Sequence, residues 1–248
     1  MTAMAKKVVI DYLPESVRHY RDGYAIVAVD VIRATTTAIS CVAAGWRCFP
    51  VPSIEFALPL AAKLHHPLLV GELGGNMPYG FDVTNSPAKL SSRPDMTRPI
   101  ILLSSSGTRL IAEAAGADAV YLACLRNWTA TAKYLAERHP RVAVLGAGTR
   151  GEFREEDQMC CALIAGYLTD HGFESEDAQT TEVIERWKNA PFDAWLMSKS
   201  VKYLRESNQL DDLEFVQNHI DDLSAAFIMK HDEVTLVSAN GGRPEITE

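Results

Sequence analysis

Short apolar runs alternate with amphipathic segments along most of this chain, and this alternation constrains its fold more than any other feature. An apolar run of four to eight residues is typical of a buried strand, and apolar positions three and four apart are typical of a helix. Because some connections are too short for helical crossovers, the pattern predicts a layered α/β protein with a mixed sheet. The strand candidates are Lys7–Tyr12, Tyr24–Val31, Cys48–Val51, Pro67–Val70, Pro99–Leu103, Ala119–Ala123, Arg141–Leu145 and Glu233–Val237.

Composition excludes several classes of protein. The chain has 248 residues, of which 47% are hydrophobic, and its net charge is −8. Without a cluster of lysines and arginines, this charge argues against nucleic acid or an anionic membrane as a partner. The apolar runs are far shorter than the ~20 residues that span a bilayer, and positions 1–7 lack a secretory signal, so we expect a cytoplasmic protein. Five cysteines without a C-x-x-C pair suggest neither disulfides nor zinc.

The organisation of the chain predicts one catalytic unit over residues 1–248. No linker rich in Pro, Gly or Ser divides it, and only the tail 238–248 looks loose. Residues 104–109 place hydroxyls, a glycine and an arginine between a strand and a helix. Positions 30–37 place hydroxyls and an arginine in the same way. This similarity predicts two similar lobes around one cleft. The habits of small cytoplasmic enzymes favour a homodimer.

Polar side chains stand between the second strand candidate and the helix that follows it. Asp30, Arg33 and three threonines at positions 35–37 occupy this turn. In α/β proteins, ligands bind beyond the carboxyl ends of strands, where helix N-termini attract anions. The turn therefore predicts an anion site. In the alternative, Asp30 and Thr35 cap the helix and Arg33 pairs with Asp30 at the surface.

Two further segments carry similar signals. Residues 71–87 form a loop with four glycines and two prolines, in which Glu72, Asp82 and Asn85 offer the oxygen ligands that Mg²⁺ prefers. A packed Ω-loop with its polar groups in turns is the alternative. Residues 104–109 place hydroxyls and backbone amides before a helix, which suits a phosphate, although an ordinary serine N-cap explains the same residues.

The segment 146–157 contains the pattern G-x-G-x-x-G, which is typical of dinucleotide-binding enzymes. Such enzymes need a second strand that ends in an acidic residue about 20 positions later, and residues 169–177 are polar instead. The acidic residues at 152 and 155–157 would also repel a pyrophosphate. A dinucleotide site is therefore the less favoured interpretation.

Asp157 is the most informative residue of this segment. Its spacing places it on one helix face with Phe153, Cys161 and Ile164, so it points inward. A buried carboxylate needs a partner, for which Arg33, Arg150 or Mg²⁺ would serve. A first-turn acid favoured by the helix dipole is the alternative. The acidic pairs at 211–212 and 221–222 flank an amphipathic run and are read as solvated caps.

Together these motifs resemble the ComB family of 2-phosphosulfolactate phosphatases. The resemblance rests on VDVIRATTTA at 29–38, GELGG and PYGFDVTNSP within 71–87, S-G-T at 106–108, and GAGTRGEFREED at 146–157. It implies a three-layer α/β/α fold and Mg²⁺-dependent hydrolysis of a phosphate monoester on a small sulfonated hydroxy acid, in coenzyme M biosynthesis. Where the family has an arginine and an asparagine, this chain has Leu73 and Ser106. Leu73 cannot make the charge-assisted contact of that arginine, and losing such a contact costs ~1.5–3 kcal/mol of binding free energy. These two differences therefore bear on which substrate the protein binds.

The motifs and the resemblance together give a candidate site for a small phosphorylated anion. We expect Asp30, Arg33 and Asp157 to be catalytic. The predicted Mg²⁺ ligands are Asp30, Glu72, Asp82, Glu156 and Asp157. The predicted substrate- or phosphate-binding residues are Arg33, Thr35, Asn85, Ser106, Gly107, Thr108, Gly148 and Thr149. Two other functions stay open: a non-catalytic binder of anionic metabolites and an NAD(P)-binding oxidoreductase.

Overall fold

The computed structural model describes residues 5–237 as alternating strands and helices. The strands are β1 (Lys7–Tyr12), β2 (Ala25–Val29), β3 (Cys48–Val51), β4 (Leu68–Gly71), β5 (Ile100–Leu103), β6 (Ala119–Ala123), β7 (Arg141–Gly146), β8 (Glu174–Ser175), β9 (Ala226–Lys230) and β10 (Glu233–Val237). The α-helices are α1 (Ala34–Ala43), α2 (Ile54–Ala61), α3 (Pro87–Ser91), α4 (Gly107–Glu113), α5 (Trp128–Arg138), α6 (Glu155–Asp170), α7 (Ala178–Lys188), α8 (Lys199–Glu206) and α9 (Leu210–Asn218). Two 3-10 helices cover Pro14–His19 and Ala194–Met197.

The strands form one sheet in the order β4-β5-β3-β10-β9-β6-β2-β7-β1-β8. The three strands at one end pair in parallel, as do the five at the other end. The hairpin of β9 and β10 joins these two groups and pairs antiparallel with both. The predicted mixed sheet is thus confirmed, and its mixed character comes from this hairpin.

Side chains on the two faces of the sheet enter different cores. In β2, Ile26 and Ala28 face a core that also contains residues of α1, α4 and the strands of both parallel groups. Val27 and Val29 face a second core, which α5 to α9 cover. A smaller core lies between α2 and the far end of the sheet. Helices therefore cover both faces, and the predicted α/β/α layering is confirmed.

The predicted strands are all present, with bounds that agree to within two residues. The sequence prediction missed β8 and β9. A short apolar run such as the one at 225–229 fits a strand or a buried helix equally well, so its periodicity does not identify β9. The tail predicted at 238–248 lies outside the described residues. Among residues 5–237, no helix combines the length and the apolar character needed to cross a membrane.

Because β9 joins the two parallel groups, we expect its buried aromatic side chain to be important for stability. Phe227 is 0% exposed and belongs to the core that both groups share. Phe227→Ala should lower the free energy of unfolding by about 3–5 kcal/mol, measured by urea unfolding. Phe56→Ala is the matched control, because Phe56 on α2 is 63% exposed and should change stability little. Equal effects of the two substitutions would contradict this role for β9.

Candidate active site

The turn between β2 and α1 is fixed by hydroxyl groups bonded to its own backbone. The Thr35 hydroxyl accepts from the Asp30 amide at 2.9 Å and contacts the carbonyl oxygens of Asp30 and Ala123 at 2.8 Å. The Thr36 hydroxyl donates to the Val31 carbonyl. Thr35 is fully buried. The Thr35 side chain therefore holds the turn, and its predicted role in phosphate binding stays a prediction.

Three buried carboxylates, those of Asp30, Glu156 and Asp157, influence one another electrostatically. Burial, together with the charges of Glu72 and Glu156, raises the pKa of Asp30 to about 7. Burial also raises the pKa of Asp157, and Glu156 and Asp30 add to the rise. The Asp157 carboxylate accepts a 2.8 Å hydrogen bond from the Val31 amide. The inward orientation predicted for Asp157 is confirmed, because only 4% of it is exposed.

Two buried oxygen atoms of this region lack a hydrogen-bond donor among the described residues. They are Oε2 of Glu156 and Oδ1 of Asn85. Burial raises the pKa of Glu156 as well, although the Ser200 and Ser198 hydroxyls oppose the rise. A buried acceptor without a donor is costly, and a cation satisfies it as well as a proton does.

The oxygen atoms available here suit a hard divalent cation such as Mg²⁺. Within residues 5–237, no three His, Cys, Asp or Glu side chains are already arranged as a metal site. The unpaired Oε2 of Glu156 and the raised pKa values of its neighbours nevertheless fit such an ion, because each carboxylate is more stable in its charged form beside a cation.

Arg33 lies beside this acidic cluster and is 5% exposed. It lowers the pKa of Asp30 and so opposes the effect of burial. Its Nη1 donates to Oε1 of Gln209 at 2.6 Å and to Oδ2 of Asp212. In the described part of the chain, its Nε and Nη2 have no hydrogen-bond partner. These two groups form the edge of the guanidinium that binds phosphate oxygens in a bidentate manner.

The loop after β4 and the turn after β5 are joined through Glu72. The Glu72 carboxylate accepts from the amides of Gly75 and Ser105, both at 2.7 Å, and contacts the Ser105 hydroxyl at 3.1 Å. Gly107 packs directly against Asp30, and any β-carbon at position 107 would collide with the Asp30 carboxylate. This contact brings the turn after β5 to the turn after β2.

The turn after β5 uses most of its polar groups internally. The amide of Thr108 donates to the Ser104 hydroxyl at 3.0 Å, and the Thr108 hydroxyl bonds the Ser104 backbone. The prediction that Thr108 binds phosphate is therefore not supported by its position. Ser106 precedes α4 without a side-chain capping bond. Its hydroxyl and the amide of Gly107 stay candidates for substrate contact.

Asp82 lies apart from the other predicted metal ligands. Its Oδ2 accepts from the Leu69 amide at 2.8 Å and lies 3.6 Å from Arg98. Arg98 also donates to the carbonyls of His66 and Pro67, which precede β4, whereas Glu72 follows it. The Asp82 side chain is 43% exposed. The structure therefore does not bring Asp82 together with the other predicted metal ligands.

The G-x-G-x-x-G segment runs from the end of β7 into a tight turn. The backbones of Thr149 and Glu152 bond each other at 2.9 and 3.0 Å, and Arg150 and Gly151 adopt positive φ angles. At Gly148, a β-carbon would lie 2.7 Å from Leu13. Helix α6 begins at Glu155, four residues after Gly151. The backbone amides of the glycine pattern are therefore not those at the start of the helix. Gly148 and Thr149 therefore lie before the start of α6, and their predicted contact with phosphate stays a prediction.

Sequence reasoning missed Asp212, which it interpreted as a solvated cap. The structure shows Asp212 3% exposed and paired with Arg33. A signal was available, because Asp212 precedes Val216 by four residues and so shares its helix face. Gln209 and Ser86, which complete this network, carried no comparable signal.

The raised pKa of Asp30 predicts how the stability of the metal-free protein depends on pH. An aspartate in an unfolded chain has a pKa of about 3.9, whereas that of folded Asp30 is about 7. Between these values the folded state binds more protons, so the free energy of unfolding should fall as pH rises from about 4 to about 7. Urea unfolding in EDTA measures this slope. Asp30→Asn should flatten it, and an unchanged slope in that variant would contradict the assignment.

Comparison with known proteins places the chain in a family. A family profile described as "2-phosphosulpholactate phosphatase" matches residues 11–231. Several relatives carry the name "Probable 2-phosphosulfolactate phosphatase". The one from Symbiobacterium thermophilum is 34% identical over 202 residues, which cover 78% of this chain and 86% of the relative. The relative from Thermus thermophilus is 34% identical over 211 residues, which cover 83% of this chain and 87% of the relative. The relative from Carboxydothermus hydrogenoformans is 36% identical over 165 residues, which cover 66% of this chain and 68% of the relative. The chain therefore belongs to the 2-phosphosulfolactate phosphatase family.

Proposed function

We propose that this protein is a Mg²⁺-dependent phosphatase that hydrolyses a phosphate monoester of a small acidic hydroxy acid. The substrate is 2-phosphosulfolactate or a close analogue, and the products are sulfolactate, or its counterpart, and phosphate. The names of its relatives support this activity. The observation that carries the proposal is the juxtaposition of buried carboxylates with raised pKa values and an arginine whose bidentate edge is free.

The residues of the candidate site form two groups, one that would hold the metal ion and one that binds the substrate. Asp30, Glu156 and Asp157 would hold Mg²⁺, with Glu72 beside them. When bound, the ion neutralises charge on the phosphoryl oxygens and lowers the barrier to attack on phosphorus. Nε and Nη2 of Arg33 bind two non-bridging oxygens, whose charge needs stabilisation as the phosphoryl group is transferred. Gly107, which packs against Asp30, offers a backbone amide to the substrate, and Asn85, which precedes the Ser86 bonded to Asp212, offers an amide group.

Hydrolysis exchanges one bond to phosphorus for another. The oxygen of water bonds to phosphorus, and the bond from phosphorus to the ester oxygen breaks. A carboxylate of the cluster takes a proton from the attacking water and passes it to the leaving alkoxide, so the carboxylate is regenerated.

Attack by Asp30 itself is the covalent alternative, in which an aspartyl phosphate forms and water then hydrolyses it. Acid quench during a single turnover of ³²P-labelled substrate distinguishes the two routes. Label on the protein would establish the covalent route, and its absence would establish direct attack by water.

Two other functions make different predictions. A binder of anionic metabolites would bind phosphorylated hydroxy acids without turning them over. An NAD(P)-dependent oxidoreductase is disfavoured by the geometry, because residues 149–152 form a tight turn that ends before the start of α6. A fluorescence titration with NADH and NADPH would detect such binding.

Phosphate release from a panel of phosphorylated hydroxy acids tests the proposal directly. The panel includes phosphosulfolactate and phosphoglycolate, each measured with Mg²⁺ and then with EDTA. We expect turnover of at least one compound with Mg²⁺ and its loss in EDTA. A folded protein that is silent across the panel would contradict the phosphatase and favour the binder.

Asp30 should be essential to this activity, and Asp82 should not be. Asp30→Asn removes one charge from the cluster and should lower kcat at least ~100-fold. Asp82→Asn makes the same chemical change outside the site and should leave kcat within about threefold. Phosphate release with Mg²⁺ measures both variants. Near-normal turnover by Asp30→Asn would remove this residue from the mechanism.

A further inference from the structure

We propose that Asp212 is a positioning residue that orients Arg33 for the phosphoryl group. This inference rests on the proposed function, because it assigns Arg33 the role of binding phosphate. Asp212 lies on α9, almost 180 residues after Arg33 in the chain. It follows that the segment containing α8 and α9 completes the active site rather than merely covering the sheet.

Asp212 has no oxygen to spare for a ligand. Its Oδ2 accepts from Nη1 of Arg33, and its Oδ1 accepts from the Ser86 hydroxyl at 2.6 Å and from the Ala88 amide at 3.2 Å. The side chains of both Arg33 and Asp212 are 4% exposed. A buried carboxylate with both oxygens bonded holds one orientation, and it imposes that orientation on its partner.

Ser86 makes this arrangement rigid. It is the N-cap of α3, where its hydroxyl also accepts from the Lys89 amide, and the following Pro87 has the fixed φ angle that favours a helix start. Asp212 is therefore anchored to a helix end. Through Arg33, this anchor extends to the turn that carries Asp30.

Gln209 completes the restraint on Arg33. Its Oε1 accepts from Nη1 at 2.6 Å, while its Nε2 donates to the Ser207 hydroxyl at 2.7 Å. Both acceptors thus engage the same nitrogen of Arg33. The edge formed by Nε and Nη2 is therefore left for a phosphate. If the two acceptors bound Nε and Nη2 instead, this edge would be occupied.

The acidic cluster explains why such a restraint is needed. Arg33 is close enough to Asp30 to lower its pKa, so Asp30 is a competing partner for the guanidinium. Pairing with Asp30 would place a cation where the proposed Mg²⁺ binds and would use the edge reserved for phosphate. The hydrogen bond from Nη1 to Asp212 prevents the pairing of Arg33 with Asp30, because it fixes the guanidinium in another orientation.

The test compares Asp212→Asn with Asp211→Asn, which makes the same change at an exposed neighbour. The readout is the dissociation constant of inorganic phosphate for the Mg²⁺-loaded protein, measured by titration calorimetry. We expect Asp212→Asn to weaken phosphate binding about tenfold or more, because the amide has no charge and only one acceptor oxygen for the three donors that Asp212 binds. Asp211→Asn should stay within about twofold.

A double-mutant cycle with Arg33→Gln separates positioning from general stability. If Asp212 acts through Arg33, Asp212→Asn should weaken phosphate binding less than twofold in the Arg33→Gln background. Equal losses in both backgrounds would overturn the inference. Ser86→Ala provides a second test if Asp212→Asn does not fold: it keeps the carboxylate, removes its anchor and should weaken phosphate binding several-fold only when Arg33 is present.

The outcomes distinguish this inference from the proposed function. Phosphate binding by the wild type, with Asp212→Asn and Asp211→Asn indistinguishable from it, would overturn the positioning role and leave the phosphatase intact. No phosphate binding and no turnover by the wild type would overturn both.

Discussion

The burial of several carboxylates beside one another is the constraint on which the site depends. Asp30, Glu156 and Asp157 are each less than a tenth exposed, and each has a raised pKa. Such a cluster is unfavourable while charged unless a proton or a cation balances it. The protein therefore holds a region of high affinity for positive charge. Arg33 supplies part of that charge, and a divalent cation would supply the rest.

Hydrogen bonds within the backbone turns keep this cluster in place. Thr35 fixes the turn after β2, and Thr108 fixes the turn after β5. Gly107 then allows the two turns to touch at Asp30. Residues of both parallel groups share one core, and the contact between Gly107 and Asp30 joins the turns after β5 and β2, although four strands separate β5 from β2 in the sheet. The hydroxyls that look most like phosphate ligands in the sequence thus provide rigidity.

The sequence predicted the features that depend on local periodicity. The turn carrying Asp30 and the inward orientation of Asp157 follow from strand and helix spacing. It could not predict the features that tertiary contacts decide. Asp82 lies in a long loop whose course has no periodic sequence pattern, and Thr35 bonds nearby backbone groups, as threonine commonly does. The partner of Arg33 is almost 180 residues away on α9, and only the helical spacing of Asp212 indicated that it is buried.

Binding of Mg²⁺ to the metal-free protein tests the central claim most directly. Calorimetric titration at pH 7 in two buffers of different ionisation enthalpy reports both the affinity and the protons released. Because the pKa of Asp30 is about 7, the account predicts binding with release of protons, and it predicts loss of this binding in Glu156→Gln. A wild-type protein that binds no Mg²⁺, or that binds it equally well after Glu156→Gln, would contradict the account.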